Sequence, residues 1–310
     1  MPLALILILK SNIFLFLSAV LSINGYADVD SSKFTKGQKA YVITASSGLV
    51  LGHAGLYQLW YKDYPQSSFH FINDNQQWLQ MDKYGHGFSA YTLSETGYAT
   101  CKSLGFSEKR SLIYGGLLGL VFQTPIEVFD GFSKEWGASA GDLIANTAGW
   151  GLFFVQQKRW NQQIVRLKWS YAHSGFAHLR PNVLGNNWNE RLLKDYNGQT
   201  YWLSTNLHSL FPKTKIPRYL NIALGFGAEG MIGGTSNLIM DKNTGLIQYD
   251  YRNIPRYRTY DVSLDLDLSK IKTQSKFLKG AFRYFNWIKI PFPSLQYSQP
   301  KGLRFTGIGY

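Results

Sequence analysis

Near residue 162 the spacing of apolar residues changes from the period of a helix to the period of a strand, and that change sets the fold class. Ahead of it, stretches 37–61, 82–101, 107–128 and about 140–158 read as helices. Asp82, Ser107 and Ser139 are placed to open the last three, and Ser139 with Asp142 spells an S-x-x-D capping box. Beyond it, Leu220, Ile222, Leu224, Phe226 and Ala228 alternate with small or polar residues. Tyr260, Val262, Leu264, Leu266 and Leu268 do the same against Asp261, Asp265 and Asp267. Segments 164–171, 281–290 and 303–310 read as weaker strands. The expectation is an α+β chain: a four-helix module over 28–161, then a β-rich antiparallel region over 162–310. No predicted helix carries the ~18 clean apolar residues of a membrane span, which favours a compact bundle.

Residues 1–27 combine Lys10, an apolar run from Ile13 to Ile23, and small Gly25 and Ala27, the pattern of a signal peptide cleaved after Ala27. An uncleaved anchor is the alternative, and both readings export the chain. The single cysteine, Cys101, forms no intrachain disulfide and lies too far along to carry a lipid at a new N-terminus. Export without disulfides points to the periplasm or outer membrane of a Gram-negative bacterium.

A formal charge of +13 raises the question of nucleic acid, but the basic residues are scattered and no recognition motif accompanies them. Nucleic acid is therefore set aside. A membrane or anionic lipid surface is the expected partner, with an envelope protein as a further one. The 16% aromatic content fits a chain that touches a membrane interface. Apolar-out, polar-in alternation is also how outer-membrane strands read, although the count falls short of the roughly eight that the smallest such barrel needs. A partly open sheet is the preferred expectation.

Three helical segments carry paired polar residues on one face: Asp82 and His86, Glu127 and Asp130, Asp142 and Asn146. Should these faces converge, Asp82, His86, Glu127 and Asp142 become candidate catalytic or metal-binding groups. Lys83, Asp130, Ser139 and Asn146 would then form a supporting polar network. The bland reading makes Asp82 an N-cap, Asp142 a capping-box partner and His86 a core histidine. Glu127 and Asp130 resist that reading, because carboxylates near a helix C-terminus oppose the macrodipole and need partners, for which Lys83 or His86 are candidates. Whether a metal or any cofactor is used stays open. His173, His178 and His208 lack metal-ligand spacing, and Gly225-Phe-Gly227-Ala-Glu-Gly230 falls inside a strand, which removes the dinucleotide reading.

The combination Asp82-Lys83-x-x-His86, Glu127 and Ser139-x-x-Asp142-x-x-x-Asn146-x-x-Gly149 resembles the YfiM-like family of predicted periplasmic lipoproteins, a domain of unknown function. It resembles VanZ-like membrane proteins more distantly. The resemblance covers about residues 78–158 and implies a small helical envelope module without an assigned activity. This chain departs by lacking a lipoprotein cysteine and by adding the β-rich region, as in an extended form of Bacteroidetes type. Two functions stand side by side: a non-enzymatic, membrane-associated envelope protein, and an envelope enzyme acting on lipid or cell-wall precursors through its carboxylates and histidine.

Overall fold

The computed structural model describes residues 34–241 and 244–309; the expected signal peptide lies outside them. Two compact units are formed. Among the described residues, one comprises 34–74 together with Ser89–Lys158, the other Asn75–Phe88 together with the chain from Arg159 onward.

The first unit is helical. It contains α1 (Lys36–Leu56), most of α2 (Met81–Ser103), α3 (Glu108–Tyr114), α4 (Leu118–Gly131) and α5 (Ala140–Trp160), with a two-residue parallel pair of β1 (Phe71–Ile72) and β2 (Ala138–Ser139). Helix starts follow the sequence: Thr35 forms a reciprocal capping box with Gln38, and Ser107 accepts the Arg110 N–H. The helix expected over 107–128 is instead broken between Tyr114 and Leu118. There Gly115 meets Gly97 so closely that a Cβ on Gly115 would stand 2.2 Å from the Gly97 carbonyl group. Only glycine permits that approach. Taken across the break, Glu108–Gly131 is the one stretch among the described residues long and apolar enough to cross a membrane, and half of it is buried. Tyr98 locks α2 to its neighbours, donating to Glu108 of α3 at 2.8 Å and accepting from Gln157 Nε2 of α5 at 2.9 Å.

The second unit is built on six antiparallel strands: β3 (Val165–Tyr171), β4 (Gln199–Asn206), β5 (Leu220–Glu229), β8 (Tyr257–Leu266), β9 (Phe292–Ser298) and β10 (Gly302–Gly309), in the order β10-β9-β8-β5-β4-β3. A separate hairpin of β6 (Leu238–Met240) and β7 (Ile247–Asp250) interrupts the β5–β8 connection. The α+β expectation therefore holds, with helices mostly N-terminal and the sheet C-terminal. The sheet curls back on itself. Segment 287–289, which leads into β9, bonds to the outer edge of β3: Trp169 N–H donates to Trp287 O and Lys289 N–H to Trp169 O, both at 2.9 Å.

The polarity of this sheet is inverted. Its buried face carries Lys168, Ser204, Asn206, Asn221, Ser263 and Asp265. Lys168 Nζ and Asp265 Oδ2 lie 2.8 Å apart with both side chains 0% exposed, and Arg166 meets Asp267 at 3.3 Å. Ser204 donates to Asp265 at 2.6 Å, and the Lys289 ammonium sits 4.7 Å from the Trp202 ring centre. Burying charge is tolerable here because each charge meets an opposite charge or a hydrogen bond. The outward face is apolar and in register: Leu224, Val262, Leu295 and Phe305 form one row across β5, β8, β9 and β10, and Phe226, Tyr260, Tyr297 and Leu303 the next. Except for the half-covered Phe226, every residue of these rows is exposed.

One strand expectation fails. Segment 281–290 is not a strand, because its first part belongs to the amphipathic helix α9, which spans Lys276–Tyr284 and is capped by Ser275 accepting the Leu278 N–H. Phe282 and Tyr284 flank Arg283 in a run too short to separate the two periods, and the cap decides. The strands β4 and β9 lie outside the segments whose alternation suggests a strand. The short helices α6 (Pro181–Leu184), α7 (Trp188–Lys194) and α8 (Leu207–Leu210), which precede α9 in the chain, punctuate the loops.

Candidate functional site

The fold explains how carboxylates become buried in the first unit. Glu127 lies near the C-terminal end of α4, one residue before its last turn, where the helix dipole is unfavourable to a carboxylate. Its Oε2 accepts the backbone N–H of Ser139 at 3.0 Å, at the point where β2 turns into α5. A helix N-terminus carries unsatisfied donors and partial positive charge, so α5 supplies what α4 withholds. Ser139 then makes two further bonds. Its Oγ donates to Asp74 Oδ1 at 2.6 Å and accepts the Asp142 N–H at 3.2 Å, which is the Ser139 half of the expected capping box. Carboxylate oxygens of Glu127 and Asp142 come within 4.8 Å of one another, and so do those of Asp74 and Asp142. Asp74, Glu127, Ser139, Asp142 and Asn146 are all buried.

The other sequence candidates take different places. Asp130 Oδ1 accepts the Tyr61 hydroxyl at 2.7 Å, a partner from the turn after α1 that the sequence did not suggest. Asp82, Lys83 and His86 lie on the opening turns of α2, in the part of that helix belonging to the second unit. The helix starts at Met81, so Asp82 is a first-turn residue and not the N-cap. There its charge favours the positive end of the dipole. Asp82 also takes the Lys83 N–H and the Lys83 ammonium, both at 2.9 Å. His86 is half-buried. These turns are packed by Met81 against Tyr201, Ala228 and Met231, and by the ring of Tyr84 stacked 5.5 Å from that of Phe226. Gly85 is required, since a Cβ there would approach the Tyr201 hydroxyl to 2.9 Å. The chain enters α2 through Trp78, Leu79 and Gln80, three consecutive residues with φ of 47°, 50° and 62°. Left-handed backbone costs a non-glycine residue roughly 1–2 kcal/mol. A bond from Trp78 N–H to Gly234 O at 2.7 Å and a contact between Arg258 and Gln80 hold it in place.

Asp74 is the member that sequence reasoning missed. It sits in Asn73-Asp74-Asn75, which reads as an ordinary polar turn, and no spacing ties it to Ser139 sixty-five positions away. Chemically, two or three neighbouring carboxylates and a serine hydroxyl form an all-oxygen donor set, suited to sharing a proton or holding a hard divalent cation.

Residues 70–158, under a third of the chain, are similar to a family described as a predicted periplasmic lipoprotein (DUF2279). The matched segment includes Asp74 and every sequence candidate from Asp82 to Asn146 and excludes the sheet. It supports an exported, envelope location; the YfiM-like and VanZ-like resemblances are finer than this match. No curated protein and no solved structure matches the chain.

Proposed function

We propose that this is a non-enzymatic, membrane-associated envelope protein whose C-terminal sheet is seated in lipid by its outward apolar face. The inverted polarity of the sheet carries this reading. A sheet surrounded by water buries its apolar face and solvates its polar one, whereas here ion pairs and amides fill the inside and Leu224, Val262, Leu264, Leu295 and Phe305 stand outside. A contiguous apolar surface of this kind marks contact with lipid or with another protein. Strands β5 and β8, ten residues each, have the length of membrane strands. The filled interior makes the sheet an anchor and not a channel.

The test is extraction. The wild-type chain is expected to stay with envelope membranes through an alkaline wash, while Val262→Lys, a charge placed on the outward face, releases it. Such a charge costs about 2–4 kcal/mol in lipid and little in water. Recovery of the wild type with the soluble periplasm overturns the reading.

A second reading rests on the Ser139 group. Three buried carboxylates from separate segments, Asp74, Glu127 and Asp142, suit a cation or an acid–base pair acting on a lipid or cell-wall precursor. Metal analysis of the purified protein, followed by turnover assays on lipid and glycan panels with and without chelator, tests it. No metal and no turnover removes it.

A further inference from the structure

The two ends of the C-terminal sheet differ in charge. At the end where β5 and β9 begin, the connections are 159–164, 207–219 and 267–291, and their only carboxylate is Asp267, which is buried against Arg166. Lys213, Lys215 and Arg218 stand exposed in one of these connections, and Lys276, Lys279 and Arg283 stand exposed on α9 in another. At the opposite end, the connections 172–198, 230–256 and 299–301 mix Glu190, Asp195, Asp241 and Asp250 with arginines and lysines, and Lys301 pairs with Glu229 at the end of β5. Charge of one sign is therefore gathered at one end, although the whole chain's basic residues look scattered in sequence.

The same end carries large apolar side chains turned outward. Phe277 on α9 is 80% exposed, and Trp160, Phe211, Tyr219 and Phe285 are also exposed. Interleaved aromatic and basic side chains on a short amphipathic helix are suited to the boundary between acyl chains and headgroups: the rings settle into the boundary while the ammonium groups reach phosphate. The outward apolar rows of the sheet end at this collar, with Leu220 and Leu266 paired across β5 and β8 just inside it.

We infer that the cationic end of the sheet binds the headgroups of anionic phospholipid, with α9 lying in the plane of the interface, and so fixes which way the sheet enters the bilayer. The inference rests on the lipid-seated sheet proposed above. It names the lipid class and the residues that select it.

The experiment partitions the purified full chain between buffer and vesicles of phosphatidylcholine alone, or of phosphatidylcholine mixed with phosphatidylglycerol. The wild type is expected to favour the anionic vesicles at least about tenfold at low salt, with the preference shrinking as salt rises. A combined Lys213→Gln, Lys215→Gln, Lys276→Gln, Lys279→Gln variant is expected to lose that preference yet still enter neutral vesicles. The matching set of Lys→Arg changes is expected to keep it, which separates charge from folding. Equal partition of the wild type into both vesicles, or an undiminished preference in the glutamine variant, overturns this inference and leaves the lipid-seated sheet standing. Inorganic phosphate that abolishes the preference at constant ionic strength points to a free-anion pocket and also overturns it. Absence from both vesicles overturns the two readings together.

Discussion

The two units assemble their buried charged groups differently. In the sheet, Lys168 faces Asp265 and Arg166 faces Asp267, so the interior is charged but locally neutral. In the helical unit, Ser139 gathers Glu127, Asp74 and Asp142, groups of one sign, around the start of α5. Neutral pairs can fill an interior whose apolar side chains have been turned outward. Converging carboxylates instead bring several oxygens to one point, a donor set that a hard cation can use. The sheet's polar groups therefore read as architecture, and the Ser139 group as the place to look for chemistry.

The sharpest way to break this contrast is to unpair the sheet. Lys168→Met leaves Asp265 buried without its ammonium partner and is expected to cost about 3–5 kcal/mol, read as a fall in the urea midpoint. Adding Asp265→Leu removes the stranded charge and is expected to recover most of that loss, even though Ser204 loses its acceptor. A double variant as unstable as the single one shows that the interior depends on more than charge balance.

A smaller effect is expected at Ser139. Ser139→Ala deletes the bond to Asp74 and the cap on Asp142, two bonds at buried carboxylate-bearing residues, for a loss of about 2 kcal/mol. Smaller again is Glu127→Gln, which keeps an oxygen for the Ser139 N–H while removing one of the same-sign charges. The expected change in stability lies within about 1 kcal/mol of zero, with stabilisation a permitted sign. A loss comparable to that of Lys168→Met would mean that the Glu127 carboxylate is held by opposite charge as tightly as Asp265 is.

How far these interiors can be read from sequence follows from the range of the interactions that build them. Local ones are legible: Ser107 and Ser139 announce their helices, and the alternation in Leu220–Phe226 and Tyr260–Leu266 announces β5 and β8, because caps and strand period act over a few residues. Period alone did not separate α9 from a strand over 281–290, where the deciding cap at Ser275 lies outside the segment. Which side of a strand faces inward is not local either. Alternation shows two faces, and only the pairing of Lys168 with Asp265, ninety-seven positions apart, makes the polar one the inside. At the site, Glu127, Ser139 and Asp142 were legible as polar groups near helix ends, Asn146 as an amide inside an apolar helix, and Asp130 as a carboxylate needing a partner. Asp74 was not, because a carboxylate in a polar turn looks the same whether it meets water or a serine.

The smallest and most specific reading comes from Cys101, the chain's single cysteine, which reports on the helical unit alone. Burial pushes its thiol up to about 11 against an ordinary 9.0, with a hydrogen bond from Tyr41 pulling the other way. The folded chain therefore keeps a proton that the unfolded chain gives up. The stability this contributes is complete below about pH 9 and is lost as the pH climbs toward 11. At pH 8 the folded thiol is ionised about a hundredfold less than the unfolded one, so iodoacetamide is expected to alkylate native protein at least that much more slowly than protein in urea. Ser139→Ala, which loosens the start of α5, is expected to raise the native rate, and Lys168→Met to leave it nearly unchanged at equal temperature. If Lys168→Met accelerates labelling as strongly as Ser139→Ala does, the two units open in one step, and the different ways they bury charge no longer correspond to separate stabilities.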